Sequence, residues 1–456
     1  MAPVDDALLR SLREVVGARH VLTDADVVAG YVTDFTGRFA GSTPAVVRPG
    51  TTAEVAGVMA CCRARGVALC VQGGNTGLVG GGVPLGGEVV LSLRRLDALD
   101  AVDPVAGQLT AGAGVTIGAV QQAASAAGWS YGVDLSSRGS ATVGGTVATN
   151  AGGLRMLRYG DTRAQLLGVE AVLGTGAVVS HLGGLVKDNT GYDLAGLLCG
   201  SEGTLGVVTA ARLRLVPPAH HTAVALLAFD AVEPAVAAAQ ELRRTLPALS
   251  AAELFFAAGL DLVCRSTGRR APFERLHEAY LLVEAAAAED PVPALGASID
   301  SLDAVAAVAV AVDEARAAQL WHYREAHAEA VNRLGAPHKL DVTLPAAHLA
   351  SFVREVPAVV AAVAPCAQVW VFGHAADGNV HVNVTGVDPG DDTVDDAVLR
   401  RVAAAGGSIS AEHGIGTAKR RWLSLNRTDE EIGAFRALKA ALDPDGLLNP
   451  RVLLPD

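Results

Sequence analysis

Lysine is nearly absent from this sequence. Its 36 basic residues are 32 arginines and four lysines, at positions 187, 339, 419 and 439. Basic residues are outnumbered by 48 acids, and a net charge of −12 with a pI near 5.5 argues against a nucleic-acid surface. Long apolar runs are also missing. The longest, residues 304–312, has nine residues, whereas crossing a bilayer takes roughly twenty. No membrane span is expected. The opening Met-Ala-Pro-Val-Asp-Asp-Ala-Leu-Leu-Arg has no basic region ahead of an apolar core. It reads as an acidic amphipathic helix rather than a signal or transit peptide, so a cytoplasmic protein is expected. Six cysteines are scattered without any Cys-x-x-Cys spacing. They point to reduced, buried thiols rather than a disulfide framework or a zinc knuckle.

What is present suits a well-cored chain. Half of the 456 residues are apolar and 18% are charged, and that length suggests two or three domains at about 150 residues each. The first half alternates short β-branched runs with helical stretches: strands at 46–48, 67–72, Val89–Ser92 and 108–111, and helices at 54–65 and 116–127. Tight glycine turns are too frequent for a plain doubly wound sheet, and the texture is α+β. A boundary falls near Val216-Pro217-Pro218-Ala219. Beyond it, alanine-rich helices alternate with strands at 223–229, 280–284 and 369–374. The last helix opens on a capping box, Thr428 with Glu431, and stops at Asp443-Pro444-Asp445-Gly446.

Four glycine-rich segments could carry ligand chemistry. In Gln72-Gly-Gly-Asn-Thr-Gly-Leu-Val-Gly-Gly-Gly82, six of eleven residues are glycine. After a strand, such a loop lets backbone N–H groups converge on an anion without Cβ interference. It is neither a Walker loop nor a dinucleotide fingerprint. Gly112-Ala-Gly114-Val-Thr-Ile117, with Asp134 twenty residues past Gly114, comes nearer to that fingerprint but has Ile117 in place of the third glycine. The second segment runs from Val133 through Gly139, Ser140, Gly144, Gly145 and Asn150 to Gly153, and Arg158-Tyr-Gly160 follows. So many small and hydroxylated residues make a poor core helix and suit backbone wrapped round a large flat ligand. Lys187-Asp-Asn-Thr-Gly-Tyr-Asp-Leu194 and Gly200-Ser-Glu-Gly-Thr-Leu-Gly206 continue the pattern.

This series of four motifs resembles the vanillyl-alcohol-oxidase type of FAD-binding flavoprotein, and within it the D-2-hydroxyglutarate and D-lactate dehydrogenase branch. The resemblance covers nearly the whole chain. It implies an α+β fold: an FAD domain of two subdomains, and an α+β cap (substrate) domain. The boundaries expected are 1–40 for an N-terminal helical segment, 41–218 for the FAD domain, 219–420 for the cap, and 421–456 for a C-terminal helix returning to the FAD domain. It implies that Gly73, Gly74, Asn75, Thr76, Gly77 and Leu78 hold FAD. Asp134, Gly139, Ser140, Gly144, Gly145, Asn150 and Gly153 would share that role, with Gly203, Gly206, Val207 and Asn449. Related proteins with covalent FAD often carry histidine in the phosphate loop; Asn75 implies noncovalent binding.

The strongest catalytic pattern is Gly373-His374-Ala-Ala-Asp377-Gly378-Asn-Val-His381-Val-Asn383. Asp-Gly between apolar runs predicts a two-residue type I′ turn. His374 would then face His381 across a hairpin, Cβ atoms about 5 Å apart, with Asn383 on the same face. That geometry suits a shared divalent metal, although such a pair alone is equally consistent with a structural role. The cluster Ser408-Ile-Ser-Ala-Glu412-His413-Gly-Ile-Gly416 offers a carboxylate as third ligand. The resemblance implies that His374, His381 and Glu412 bind zinc or manganese and that His413 acts on the substrate, with Ala376 replacing a usual glycine in the turn.

In the resembled dehydrogenases an arginine, a threonine four residues on and a lysine fifteen residues on hold the distal carboxylate. Arg324 and Lys339 match that spacing, but Ala328 stands at the threonine position. His327 is the neighbour that could compensate, although a helix turns it about 100° away. The implied reaction is FAD-dependent oxidation of a small D-2-hydroxy acid, D-2-hydroxyglutarate first, with hydride passing to flavin N5 and His413 taking the proton. Arg324, Lys339, Asn383, Glu412 and His413 would bind substrate, and a separate acceptor, an electron-transfer flavoprotein or quinone, would reoxidise the flavin. A homodimer is compatible with this reading. D-lactate or glycolate dehydrogenase is the nearer alternative. An alkyl-glycerone-phosphate-synthase-like transferase is the alternative of another class.

Overall fold

The computed structural model describes residues 4–311 and 313–455. Two compact units divide the chain. The first comprises residues 1–154, 159–218 and 412–456; the second comprises 155–158 and 219–411. The first change of unit after the prolines falls at Pro218/Ala219. The chain returns to the first unit at Glu412 rather than at 421, and the N-terminal segment is part of the first unit. The reasons are local. Residues Leu8, Leu12 and Val16 of the helix Asp6–Val16 pack in one core with Val55, Val58, Met59 and Cys62 of Thr52–Arg63. Ile415 and Gly416 bond to Glu202, which belongs to the first unit.

The first unit holds two sheets. In one, β1 (Val21–Leu22), β2 (Val46–Val47), β3 (Leu69–Gln72) and β4 (Val89–Ser92) lie in the order β1-β2-β4-β3, with β2 and β3 each parallel to β4. Parallel strands need a crossover, which Thr52–Arg63 supplies; Thr51 caps it by accepting the Glu54 N–H. In the other sheet, β5 (Gln108–Gly112), β6 (Leu166–Leu173), β7 (Val178–Ser180) and β8 (Gly206–Arg214) are all antiparallel, ordered β5-β8-β6-β7. The helix expected at 116–127 runs Ile117–Ala126, with the Thr116 hydroxyl as its cap.

The second unit is built on one seven-stranded antiparallel sheet. Its strands are β9 (His221–Phe229), β10 (Leu249–Phe256), β11 (Ala279–Ala287), β12 (Ala307–Val310), β13 (His338–Thr343), β14 (Gln368–His374) and β15 (Asn379–Thr385), ordered β12-β9-β11-β10-β14-β15-β13. One face packs Phe255, Tyr280, Leu282 and Phe372 against Leu260 and Leu320 from the helices Ala257–Thr267 and Glu314–Glu325. The short segment 155–158 joins this unit because Arg155 pairs with buried Glu284 at 3.3 Å and Arg158 bonds the Ala248 carbonyl at 3.1 Å. The helix Ala346–Val363 is long and apolar enough to cross a membrane by length and composition. Its Leu349, Phe352, Val353, Val356 and Val360, however, form a buried stripe at helical spacing.

Candidate active site

In the first unit the first, second and fourth glycine-rich segments fold into adjoining loops, whereas residues 187–194 are exposed throughout. The loop after β3 turns its Gly73 and Gly74 carbonyls to Arg94, at 3.4 and 2.9 Å. Among the described residues, the N–H groups of Gly73, Gly74, Asn75, Thr76 and Gly77 make no hydrogen bond. Five successive amides without a protein partner are available to an anion. Gly74 packs directly on the Ser140 carbonyl of the second segment, where any Cβ would overlap it. A Cβ at Gly77 or Gly139 would meet nothing within 4 Å, so both open onto space. Thr142 caps Val143–Thr149, which carries Gly144 and Gly145; Gly144 packs on Ala113.

Six described non-glycine residues have positive φ, and four of them lie in or beside these motifs: Asn75, Asn150, Glu202 and Asn449. Such concentration of a disfavoured conformation is the mark of a site. Asn75 donates to the Thr33 carbonyl at 2.9 Å. The Asn449 carboxamide accepts from Val71 at 2.8 Å and donates to the Glu202 carbonyl at 2.7 Å, joining β3 to the fourth segment beside Gly203. Gly206 and Val207 begin β8. Asp134 is buried, with Arg138 and Gln121 on its carboxylate and Gly153 against its carbonyl. The loops thus fit a large phosphate-bearing ligand such as FAD.

Glu202 has a second task. Its carboxylate accepts the Ile415 and Gly416 N–H groups at 2.8 and 2.7 Å, fixing the backbone just past His413. Burial pushes its pKa up, with the two amides and Lys419 opposing.

In the second unit the histidine hairpin differs from expectation. The ladder pairs Phe372 with His381, Gly373 with Val380 and His374 with Asn379. Residues 375–378 form a four-residue loop rather than a two-residue turn. Ala375 donates instead to Ala252 of β10, at 2.9 Å. The Ala375 and Ala376 carbonyls are taken by Gln240 at 3.0 and 3.2 Å, and Arg243 reaches Ala376 at 2.9 Å. Asp377 accepts the Asn379 N–H, and Gly378 adopts φ 80°. The partner of His374 has moved by two residues. Side chains alternate with period two, so the face is preserved, and the imidazoles meet diagonally with ring centroids 5.5 Å apart.

The register puts further polar residues on that face. Glu253 pairs with His374, Asp341 with His381, and Lys339 with Asn383. Each histidine turns Nδ1 to a buried carboxylate: His374 to Glu253 at 2.6 Å and His381 to Asp341 at 3.4 Å. Glu253 also pairs with Arg324 Nε at 2.7 Å, and the guanidinium lies 4.7 Å over the Phe372 ring. Burial works against ionisation of Glu253, but His374 and Arg324 outweigh it and leave its carboxyl below the usual range. Burial also lowers the His381 pKa, against the pull of Asp341. Asn383 is buried with no hydrogen bond to its side-chain nitrogen, and the Asn379 carboxamide is buried with neither of its polar atoms bonded.

His327 does not fill the place of the missing threonine. It is 1% exposed, its ring 5.2 and 5.1 Å from Phe255 and Phe372, with Nδ1 on the Arg324 carbonyl at 3.1 Å. Burial lowers its pKa to about 3, so it is neutral. Ala328 itself is exposed.

This donor set fits a metal. Carboxylate–imidazole pairing through Nδ1 is how second-shell groups orient histidine ligands, which then coordinate through Nε2. Ala411, the residue before Glu412, donates to the Asp341 carboxylate at 3.2 Å. Sequence reasoning missed Glu253 and Asp341. The signal for Glu253 was a lone acid inside a largely apolar strand, since a charge is not buried there without a partner.

The solved structure of p-cresol methylhydroxylase matches with a TM-score of 0.80 at 16% identity, over 97% of this chain and 95% of that one. The fold is that of the vanillyl-alcohol-oxidase type FAD-binding flavoproteins. Residues 43–181 match the FAD binding domain, and residues 218–453 match the C-terminal domain of FAD linked oxidases. A D-2-hydroxyglutarate dehydrogenase of Xanthomonas citri pv. viticola is 37% identical, over 98% of this chain and 96% of that one. The mitochondrial D-2-hydroxyglutarate dehydrogenase of Bos taurus is 37% identical, over 98% of this chain and 83% of that one. This chain belongs to the FAD-linked oxidase family and is an FAD-dependent oxidoreductase.

Proposed function

We propose that the chain oxidises a D-2-hydroxy acid, D-2-hydroxyglutarate first among them, to the 2-oxo acid, with noncovalent FAD and a divalent metal. The observation that carries this reading is the polar sheet face. Two histidines, each backed by a buried carboxylate, share it with Lys339, and Arg324 reaches it from the helix Glu314–Glu325. His374, His381 and Glu412 would hold zinc or manganese. When bound, FAD supplies the hydride acceptor at N5, and the metal supplies a Lewis acid that lowers the pKa of the α-hydroxyl.

His413 takes the hydroxyl proton as general base, on a backbone anchored by Glu202. Lys339 and Arg324 orient the far carboxylate as cations. Glu253 already balances the charge of Arg324, and Lys339 brings a second cation for that carboxylate. A separate acceptor, an electron-transfer flavoprotein or quinone, reoxidises the flavin, and the cytoplasm is the proposed compartment.

Alanine at 328 favours one second reading, a D-lactate or glycolate dehydrogenase, whose substrates have no distal carboxylate to hold. Turnover of D-2-hydroxyglutarate, D-lactate and glycolate by the purified protein, with an artificial electron acceptor, tests both. A higher kcat/KM for D-2-hydroxyglutarate is expected; a preference for D-lactate or glycolate would overturn the dicarboxylate assignment.

A further inference from the structure

Glu253 sits on β10, one strand away from the histidine hairpin and 121 residues before His374. Its residue is 1% exposed. One carboxylate oxygen, Oε1, lies 2.6 Å from His374 Nδ1; the other, Oε2, lies 2.7 Å from Arg324 Nε. Among the described residues no other carboxylate pairs with Arg324. We propose that Glu253 is a positioning residue that makes His374 a metal ligand while balancing the charge of Arg324, because it sets one carboxylate oxygen against each: a hydrogen bond to His374 and an ion pair, without hydrogen-bond geometry, to Arg324. The inference rests on the reading of His374 as a ligand.

The chemistry is a matter of counting acceptors. An ionised carboxylate presents two acceptor oxygens and no donor. As a ligand, the His374 ring would keep its proton on Nδ1 against Oε1, which leaves the Nε2 lone pair to coordinate a metal. Facing Oε2, the buried guanidinium has its counter-charge. A carboxamide of the same shape has one acceptor and one donor group, so it cannot serve both neighbours. An uncompensated buried cation costs more than a lost bond to a neutral ring. In Glu253→Gln the amide oxygen therefore turns to Arg324, and its NH2 group faces His374 Nδ1. The imidazole must then accept at Nδ1 and carry its proton on Nε2, where it no longer coordinates.

The test is zinc binding by the flavin-loaded protein after chelator treatment, followed by equilibrium dialysis, with flavin content and thermal melting measured alongside. Zinc affinity of Glu253→Gln should fall about 10–100-fold, the usual effect of losing a second-shell partner. The double variant Glu253→Gln/Arg324→Met should recover most of that loss, because the amide oxygen is then released to His374. A merely structural role predicts no recovery. If the single variant does not fold, the double variant carries the test against Glu253→Leu/Arg324→Met, which lacks the amide oxygen and should bind zinc more weakly. Equal affinity in wild type and Glu253→Gln, or no recovery in the double variant, would overturn the proposal. Wild-type protein that binds no zinc would instead refute the metal reading, and the role of Glu253 would fall with it.

Discussion

Gly74 is pressed against the carbonyl of Ser140, so closely that no side chain fits between them. This contact joins the loop after β3 to the second glycine-rich segment. Gly74→Ala must displace backbone, and overpacking of this kind costs about 1–3 kcal/mol. Flavin affinity should therefore fall roughly 5- to 150-fold, since 1.4 kcal/mol is tenfold. The flavin-to-protein absorbance ratio after dialysis measures it. An unchanged ratio would remove this contact from the flavin cradle.

Metal removal separates the roles of neighbouring residues. Chelator treatment should abolish turnover while flavin stays bound, and zinc or manganese should restore it. His381→Ala should lose metal and activity together. His413→Ala should keep its metal but lose about 10²–10⁴-fold in kcat, the range for a general base. Metal analysis beside steady-state kinetics reads both. Undiminished turnover after chelation would refute the metal-assisted mechanism and leave the flavin assignment standing on its own loops.

Lys339→Ala should raise KM for D-2-hydroxyglutarate far more than for D-lactate. A charge-assisted contact is worth about 1.5–3 kcal/mol, or roughly one to two powers of ten. Equal changes for the two substrates would show that Lys339 does not read the distal carboxylate.

His327 makes stability depend on pH. Its pKa is about 3 in the fold against an ordinary 6.5. Between those values the unfolded chain binds a proton that the folded chain does not, so unfolding free energy rises with pH. The contribution is present in full above pH 6.5 and is lost as pH falls toward 3. The slope from this one group is at most about 1.4 kcal/mol per pH unit. Urea midpoints should fall between pH 7 and pH 5, and less steeply in His327→Leu. Parallel curves for the two proteins would contradict the burial argument.

The sequence disclosed the glycine-rich loops better than the hairpin that carries the histidines. Glycine density and motif order are local properties, and the segments from Gln72 and Val133 could be read without knowing their neighbours. The turn at Asp377-Gly378 is set by distant partners: Ala252 on another strand, and Gln240 and Arg243 on a helix. No pattern within eleven residues encodes them. The shared face of His374 and His381 survived the wrong register because the error was an even number of residues. Glu253 and Asp341 escaped notice for a different reason. A single acid in an apolar strand becomes meaningful only when its partner is known, and the partner of Glu253 is 121 residues away. The unit boundary at Glu412 was equally hidden, since it depends on Glu202 holding Ile415 and Gly416.

The first unit has its last stretch separated from the others by residues 219–411 of the second. Its β3 bonds through Leu69 to the backbone of Leu447 and Asn449, and the Asn449 side chain binds Val71 and Glu202. During synthesis, therefore, a growing chain possesses every strand of the seven-stranded sheet before it possesses Asn449. The glycine-rich loops must wait for Leu447 and Asn449 before β3 is fully bonded, so tight uptake of flavin follows the synthesis of the second unit's strands rather than preceding it.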